Sequence, residues 1–168
     1  MRESLFSKEY VIYWPDQYEP LVNFLKKAPL GQVGAKGGFF DNNMEVIVFA
    51  ASYGLQQGHS LPGGNHTKEI STSSFENNGY GAFLYLIPLM ACKDQPDLFL
   101  LRDSDGEQKC LRIFESYVAG GLQLLSEGWT SAATKSAYMF VDDLLLQNMG
   151  GDGGPHIPVS PGRIDDIF

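Results

Sequence analysis

Residues 111–125, LRIFESYVAGGLQLL, constrain the fold most, because a helical pattern runs straight through two adjacent glycines. Leu111, Phe114, Tyr117 and Val118, then Leu122 and Leu125, recur at three- and four-residue spacing. That period lines one face of an α-helix with apolar side chains. Gly120 and Gly121 each cost about 1 kcal/mol against alanine inside a helix. A glycine pair in this position predicts either a bend or the close approach of a neighbouring element. Ser104 and Glu107, at capping-box spacing, open the helix.

The rest of the chain reads the same way. Residues 8–14, KEYVIYW, form a short β-like run that Pro15 ends. Residues 19–27 predict a helix with Leu21, Val22, Phe24 and Leu25 as its stripe, Pro20 in its first turn, and Lys26 and Lys27 at the negative end of its dipole. After a glycine-rich loop at 28–40, Asn42 and Glu45 have capping-box spacing. The helix they start carries Val46, Ile47, Phe49, Ala50 and Tyr53, and Gly54 or Gly58 closes it. Residues 59–69 read as a polar loop. Ser73 or Ser74 caps a third helix through 79–90, with Phe83, Leu84, Ile87 and Met90 as its stripe and Pro88 predicting a kink or early stop. A last helix, 130–147, buries Ala132, Ala133, Ala137, Phe140, Val141, Leu144 and Leu145. The expectation is a mainly α fold: a compact bundle of about five helices with a short N-terminal β-like segment. It forms one domain over 1–149, followed by a Gly/Pro-rich, irregular C-terminal tail over 150–168.

Length and charge narrow the function. The 168 residues suit a single domain able to bury most of its apolar surface without staples. Acidic residues outnumber basic ones by 20 to 12, for a net charge of −8. Affinity for nucleic acid comes largely from Lys and Arg contacts to phosphate, so this balance disfavours stand-alone DNA binding. Lys26, Lys27, Lys36 and Arg112 are the residues that could contact phosphate. Cys92 and Cys110 lie in apolar runs outside any CxxC pair, and read as buried free thiols. The first ten residues have no signal-peptide core, and no apolar stretch reaches the roughly 20 residues needed to span a bilayer. The chain is therefore expected to be cytoplasmic, without membrane contact.

No motif for bond-making chemistry emerges. His59 and His66 share a loop with Asn65 and Glu69, at a spacing that matches no metal-ligand pattern. There is no GxSxG elbow. Glycines 31, 34, 37 and 38 suggest a phosphate loop, but Lys36 is followed by Gly-Gly-Phe rather than by Ser or Thr opening a helix. Asp142 and Asp143 are adjacent in a helix and cannot share one face. No catalytic residue, metal or cofactor is assigned. The tail carries Ile157, Val159, Ile164, Ile167 and Phe168 among its prolines. A purely solvating segment rarely holds five large apolar residues. They are expected either to dock on a partner protein or to lie on the chain's own domain.

Three stretches together carry a resemblance: VIVFAASYGLQQGHSLP at 46–62, ISTSSFENNGYGAFLYLIPLM at 70–90, and LRIFESYVAGGLQLL at 111–125. In that order they resemble the DNA phosphorothioation (Dnd) system-associated protein 4 family. That family has an apolar helix ending in an Ala-Ala-x-x-Gly turn, a polar entry with a Phe before an apolar helix, and a helix with Tyr-Ala-x-Gly-Gly-Leu. It is basic around the glycine turn, where this chain has Gln56, Gln57 and His59, a departure that weakens DNA contact. The resemblance implies a setting in prokaryotic DNA modification and anti-phage defence. With the missing active-site motif, the acidic balance and the apolar tail, the expectation is a non-enzymatic accessory or adaptor subunit that binds and regulates larger nuclease, helicase or ATPase subunits and touches nucleic acid only indirectly or weakly. The competing expectations are a DNA-binding accessory protein or transcriptional regulator using Lys26, Lys27, Lys36 and Arg112, and an enzyme whose site draws His59, His66 and acids into one pocket.

Overall fold

A computed structural model describes residues 4–26, 38–62, 68–94, 103–131 and 135–149. Its elements are β1 (Val11–Trp14), a 3-10 turn (Asp16–Tyr18), α1 (Glu19–Leu25), α2 (Asn43–Gln56), β2 (Lys68–Ser71), α3 (Thr72–Asn77), α4 (Phe83–Ala91), α5 (Ser104–Ser131) and α6 (Ala137–Met149). The fold is mainly helical, as expected, with a small N-terminal sheet. Among the described residues no helix is long and apolar enough to cross a membrane.

The glycine pair resolves in favour of close approach. α5 continues through Gly120 and Gly121 without interruption. A Cβ on Gly121 would lie 1.8 Å from the carbonyl oxygen of Ala50 in α2, and one on Gly120 would lie 2.2 Å from that of His59. From the other side, a Cβ on Gly54 would meet the Tyr117 carbonyl oxygen at 2.5 Å. α2 and α5 therefore meet backbone to backbone. Around this crossing lie Val46, Ile47, Ala50 and Ala51 of α2, with Phe114, Val118, Leu122 and Leu125 of α5, all buried. Full burial of each larger side chain stabilises by about 1.5–3 kcal/mol.

Local signals fix the helix ends. Asn42 Oδ1 accepts the Glu45 amide at 3.0 Å, while Glu45 Oε2 accepts the Asp41 amide at 2.7 Å. Gly58, at φ 63°, follows the end of α2 in the left-handed region that glycine tolerates. Three expectations are corrected. The third helix is two helices: Ser71, rather than Ser73 or Ser74, caps α3 by accepting the Ser74 amide at 3.3 Å, and Gly79 at φ 84° turns the chain before α4. Asp103, rather than Ser104, caps α5, with its Oδ1 accepting the Gly106 amide at 2.8 Å. The last helix begins at Ala137, with Ser136 Oγ accepting the Met139 amide at 3.3 Å, so α5 itself reaches Ser131.

Pro88 lies inside α4 without ending it. Proline has no N–H to offer the carbonyl four residues before it, here Leu84. The Cys110 thiol of α5 donates to that oxygen at 3.4 Å. Cys92 and Cys110 are both buried and neither is in a disulfide, as expected. Burial pushes the Cys110 thiol up to about 12, so the sulfur keeps its proton.

The sheet corrects the loop expected over 59–69. β2 pairs antiparallel with β1 in the register Val11–Ser71, Ile12–Ile70, Tyr13–Glu69 and Trp14–Lys68. Ile12 and Trp14 face the core, while Val11 and Tyr13 face outward. Lys68 Nζ meets Glu19 Oε1 at 2.7 Å, tying the sheet to α1.

Candidate functional site

The sequence of α4, FLYLIPLMA, is apolar almost throughout. A helix buried on one side only must then leave apolar residues in water. Leu84, Ile87 and Pro88 face the core. Phe83, Leu86 and Met90 are 37 %, 49 % and 59 % exposed. This corrects the expected stripe, which placed Phe83 and Met90 beside Leu84 and Ile87. Single exposed apolar residues are ordinary. A row at i, i+3 and i+7 along one helix is the spacing by which helices dock on partner proteins.

Leu5, 53 % exposed, is a further exposed apolar residue and lies against Gly81 just before α4. It belongs to an N-terminal strap, residues 4–10, laid across α3, α4 and α5. Its amide donates to Glu76 Oε1 at 3.2 Å, and its carbonyl accepts from the Tyr85 hydroxyl at 2.9 Å. Gly81 leaves room for it: a Cβ there would stand 3.1 Å from Leu5 Cδ1. Phe6 stacks on Tyr85 with ring centroids 4.5 Å apart.

Glu107 of α5 anchors the strap. It is a buried carboxylate that accepts the Ser7 amide at 2.9 Å, the Ser7 hydroxyl at 2.6 Å and the Tyr10 hydroxyl at 2.8 Å. Burial alone would raise its pKa. The bonds from Ser7 and Tyr10 favour the charged form, and the net position is below the ordinary carboxylate value. Burial, and then the neighbouring Glu107, raise the Tyr10 phenol. A second carboxylate, Glu115, accepts the Tyr13 amide at 2.8 Å, so α5 satisfies part of the free edge of β1. Burial pushes Glu115 up to about 7, against the opposing effects of the Tyr13 bond and Arg112.

The residues singled out in the sequence do not gather. Lys26 bonds Asn43 Oδ1 at 2.9 Å at the start of α2, and Arg112 lies on the exposed side of α5, beside Glu115. Lys27, Lys36, His66, Ile157, Val159, Ile164, Ile167 and Phe168 lie outside the described residues. His59 Nε2 is 2.7 Å from Gln123 Oε1, which gives its ring a structural partner at the α2–α5 crossing. Asp143 pairs with Lys135, and Asp142 is exposed. Among the described residues no group of three His, Cys, Asp or Glu could hold a metal ion. Ser7, Tyr10 and Glu115 were not singled out in the sequence, and Glu107 was read as a cap. The one available signal was a glutamate between Phe114 and Ser116 in a run that helical spacing buries.

A family model described as DNA sulphur modification system-associated protein 4 matches residues 12–148, from within β1 almost to the end of α6. No curated protein and no solved structure matches the chain.

Proposed function

This chain belongs to the DNA sulphur modification system-associated protein 4 family, and from that premise we propose that it is a non-enzymatic accessory subunit of a prokaryotic anti-phage defence complex. In this reading it binds a larger nuclease, helicase or ATPase subunit and adjusts its activity. The observation that carries the reading is the exposed row Phe83, Leu86 and Met90 on α4. It is held from beneath by Leu84 and Ile87 in the core and by the Cys110 bond to α4. Anchors that are already ordered lose little further freedom on binding, which leaves more of the burial gain for affinity. A net charge of −8 opposes close approach to phosphate backbones and favours contact with protein.

The test is co-expression with the other proteins of a DNA sulphur modification system, followed by size-exclusion chromatography. The chain is expected to elute with one of them in fixed ratio. Leu86→Glu with Met90→Glu should abolish the co-elution while leaving the far-ultraviolet circular dichroism unchanged, because both side chains are exposed. Elution of the wild type alone in every pairing, or co-elution of the double variant as wild type, refutes the reading.

A further inference from the structure

α6 is apolar on two sides. Its inner side places Ala137, Phe140 and Val141 in the core, with Phe140 edge-on to Phe24 at 6.4 Å. Its outer side carries Tyr138, Met139, Leu145 and Leu146, which are 62 %, 55 %, 46 % and 60 % exposed. Leu145 had been expected on the buried stripe. Phe39, itself partly exposed, lies 5.6 Å from Tyr138 and widens the surface. One charge stands in the middle of this face. Asp142 is exposed, and at about 100° per residue it follows Tyr138 by one turn and precedes Leu145 and Leu146 by another. The chain leaves that charge unanswered. Lys135 pairs with the adjacent Asp143, which lies to the side of the face. Among the described residues no ion pair or hydrogen bond includes Asp142.

We propose that the outer face of α6 docks an amphipathic helix of a partner protein, with a lysine or arginine of that helix opposite Asp142. The exposed apolar residues call for an apolar surface in return, because such patches mark sites of protein association. Asp142 then sets the partner's chemistry. A carboxylate covered by a wholly apolar partner loses its water and gains no counter-charge, which opposes docking. A lysine or arginine supplies the counter-charge, and its aliphatic stem packs on the apolar residues to either side. The 13 residues of α6 make a face about 20 Å long, enough for between three and four turns of a second helix.

The same carboxylate argues against two other occupants. A second copy would most simply pair about a two-fold axis. Asp142 lies near the middle of α6, so antiparallel pairing of two such faces sets it against Asp142 of the other copy, like charge on like. Nucleic acid would bring phosphates onto a carboxylate. This face lies on a different helix from the α4 row and rests on a different observation, so the two proposals fail independently.

Three dye-labelled, hydrocarbon-stapled helical peptides of about four turns provide the test. They share leucines along the docking side and differ only in its central residue, which is lysine, leucine or glutamate. Fluorescence anisotropy is read on titration with the full-length chain at low ionic strength. The lysine peptide is expected to bind at least about tenfold more tightly than either of the others. Asp142→Lys should invert the order, so that the glutamate peptide binds most tightly. Tyr138→Ser with Leu146→Ser should weaken the lysine peptide at least about tenfold. Leu86→Glu with Met90→Glu on α4 should leave it unchanged. All four of these side chains are exposed, and an unaltered circular dichroism spectrum certifies the fold. No binding by any peptide, equal affinity for the three, or an order that Asp142→Lys leaves unmoved overturns the proposal. Loss of binding in the α4 variant places the peptide on the other surface and overturns it equally. A wild-type chain that sediments as a dimer, and as a monomer with Leu146→Ser, assigns the face to a second copy and overturns it as well.

Discussion

Replacing Gly121 by alanine tests the crossing of α2 and α5 directly. The new Cβ would stand 1.8 Å from the Ala50 carbonyl oxygen and 2.6 Å from its carbonyl carbon. Real Cβ atoms essentially never come closer than 3.0 Å, so the two helices must part by at least the difference, 1.2 Å. Both colliding atoms are backbone, and no rotamer change relieves them. Parting the helices loosens the layer of Val46, Ile47, Phe114, Val118 and Leu122 on either side. Overpacking costs typically about 1–3 kcal/mol and more where nothing can yield, while alanine returns about 1 kcal/mol of helix propensity. Because neither backbone can yield, the upper end of that range applies and the net loss should be about 2 kcal/mol or more, a large part of the 5–15 kcal/mol typical of a domain. Gly128→Ala is the control on the same helix. Its Cβ meets only the Phe140 ring edge, at 3.4 Å, so that variant should be neutral or slightly stabilising. Urea unfolding followed by circular dichroism reads both. A Gly121→Ala chain within about 1 kcal/mol of wild type would refute a backbone-to-backbone crossing.

Two carboxylates of α5 give opposite pH behaviour. Glu115 is raised by burial to about 7. Its contribution is fully present below the ordinary value of 4.5 and is lost as pH rises through 7, an effect of up to about 3 kcal/mol. Glu115→Gln keeps an acceptor for Tyr13 and should flatten the fall in urea midpoint between pH 4.5 and 7; a fall of the same size in the variant sinks the argument. Glu107 is lowered, so its contribution is present above 4.5 and lost as pH falls through its folded value. Glu107→Ala strips the acceptor from the Ser7 amide, the Ser7 hydroxyl and the Tyr10 hydroxyl, and should cost about 2–3 kcal/mol at pH 7. Hydrogen exchange at the Ser7 amide should accelerate in that variant, and an unchanged rate would show that Glu107 does not hold the strap.

What the sequence revealed divides along physical lines. Signals that act within a few residues were legible: the Asn42 cap, the β-like run ended by Pro15, and the stripes of α2 and α5. The glycine pair of α5 was legible as a demand for space, although it could not say which element fills that space. β2 was not legible, because KEIS has a single large apolar residue and its extended form depends on β1, which precedes it by more than fifty residues. Glu107 illustrates a conflict of levels. Its spacing from Ser104 suits a local cap, but three donors from the strap compete for it and win. The α4 row failed for a different reason. In FLYLIPLMA nearly every position is apolar, so periodicity cannot say which side is covered. The same holds at Leu145, assigned to the inner side of α6 and found on the outer. The candidate docking surfaces are residues whose exposure only the packed molecule reveals.

The sulfur-to-carbonyl bond across Pro88 ties two substitutable positions into one unit. An imino acid at 88 creates a vacancy in the ladder of α4, and the side chain at 110, on another helix, supplies the missing proton. Neither residue can be judged alone. A chain with an ordinary amino acid at 88 would find the thiol redundant, and a chain with serine at 110 would offer a stronger donor on a shorter arm. The orientation in which α4 presents its outer row thus depends on a chemical group borrowed from a neighbour.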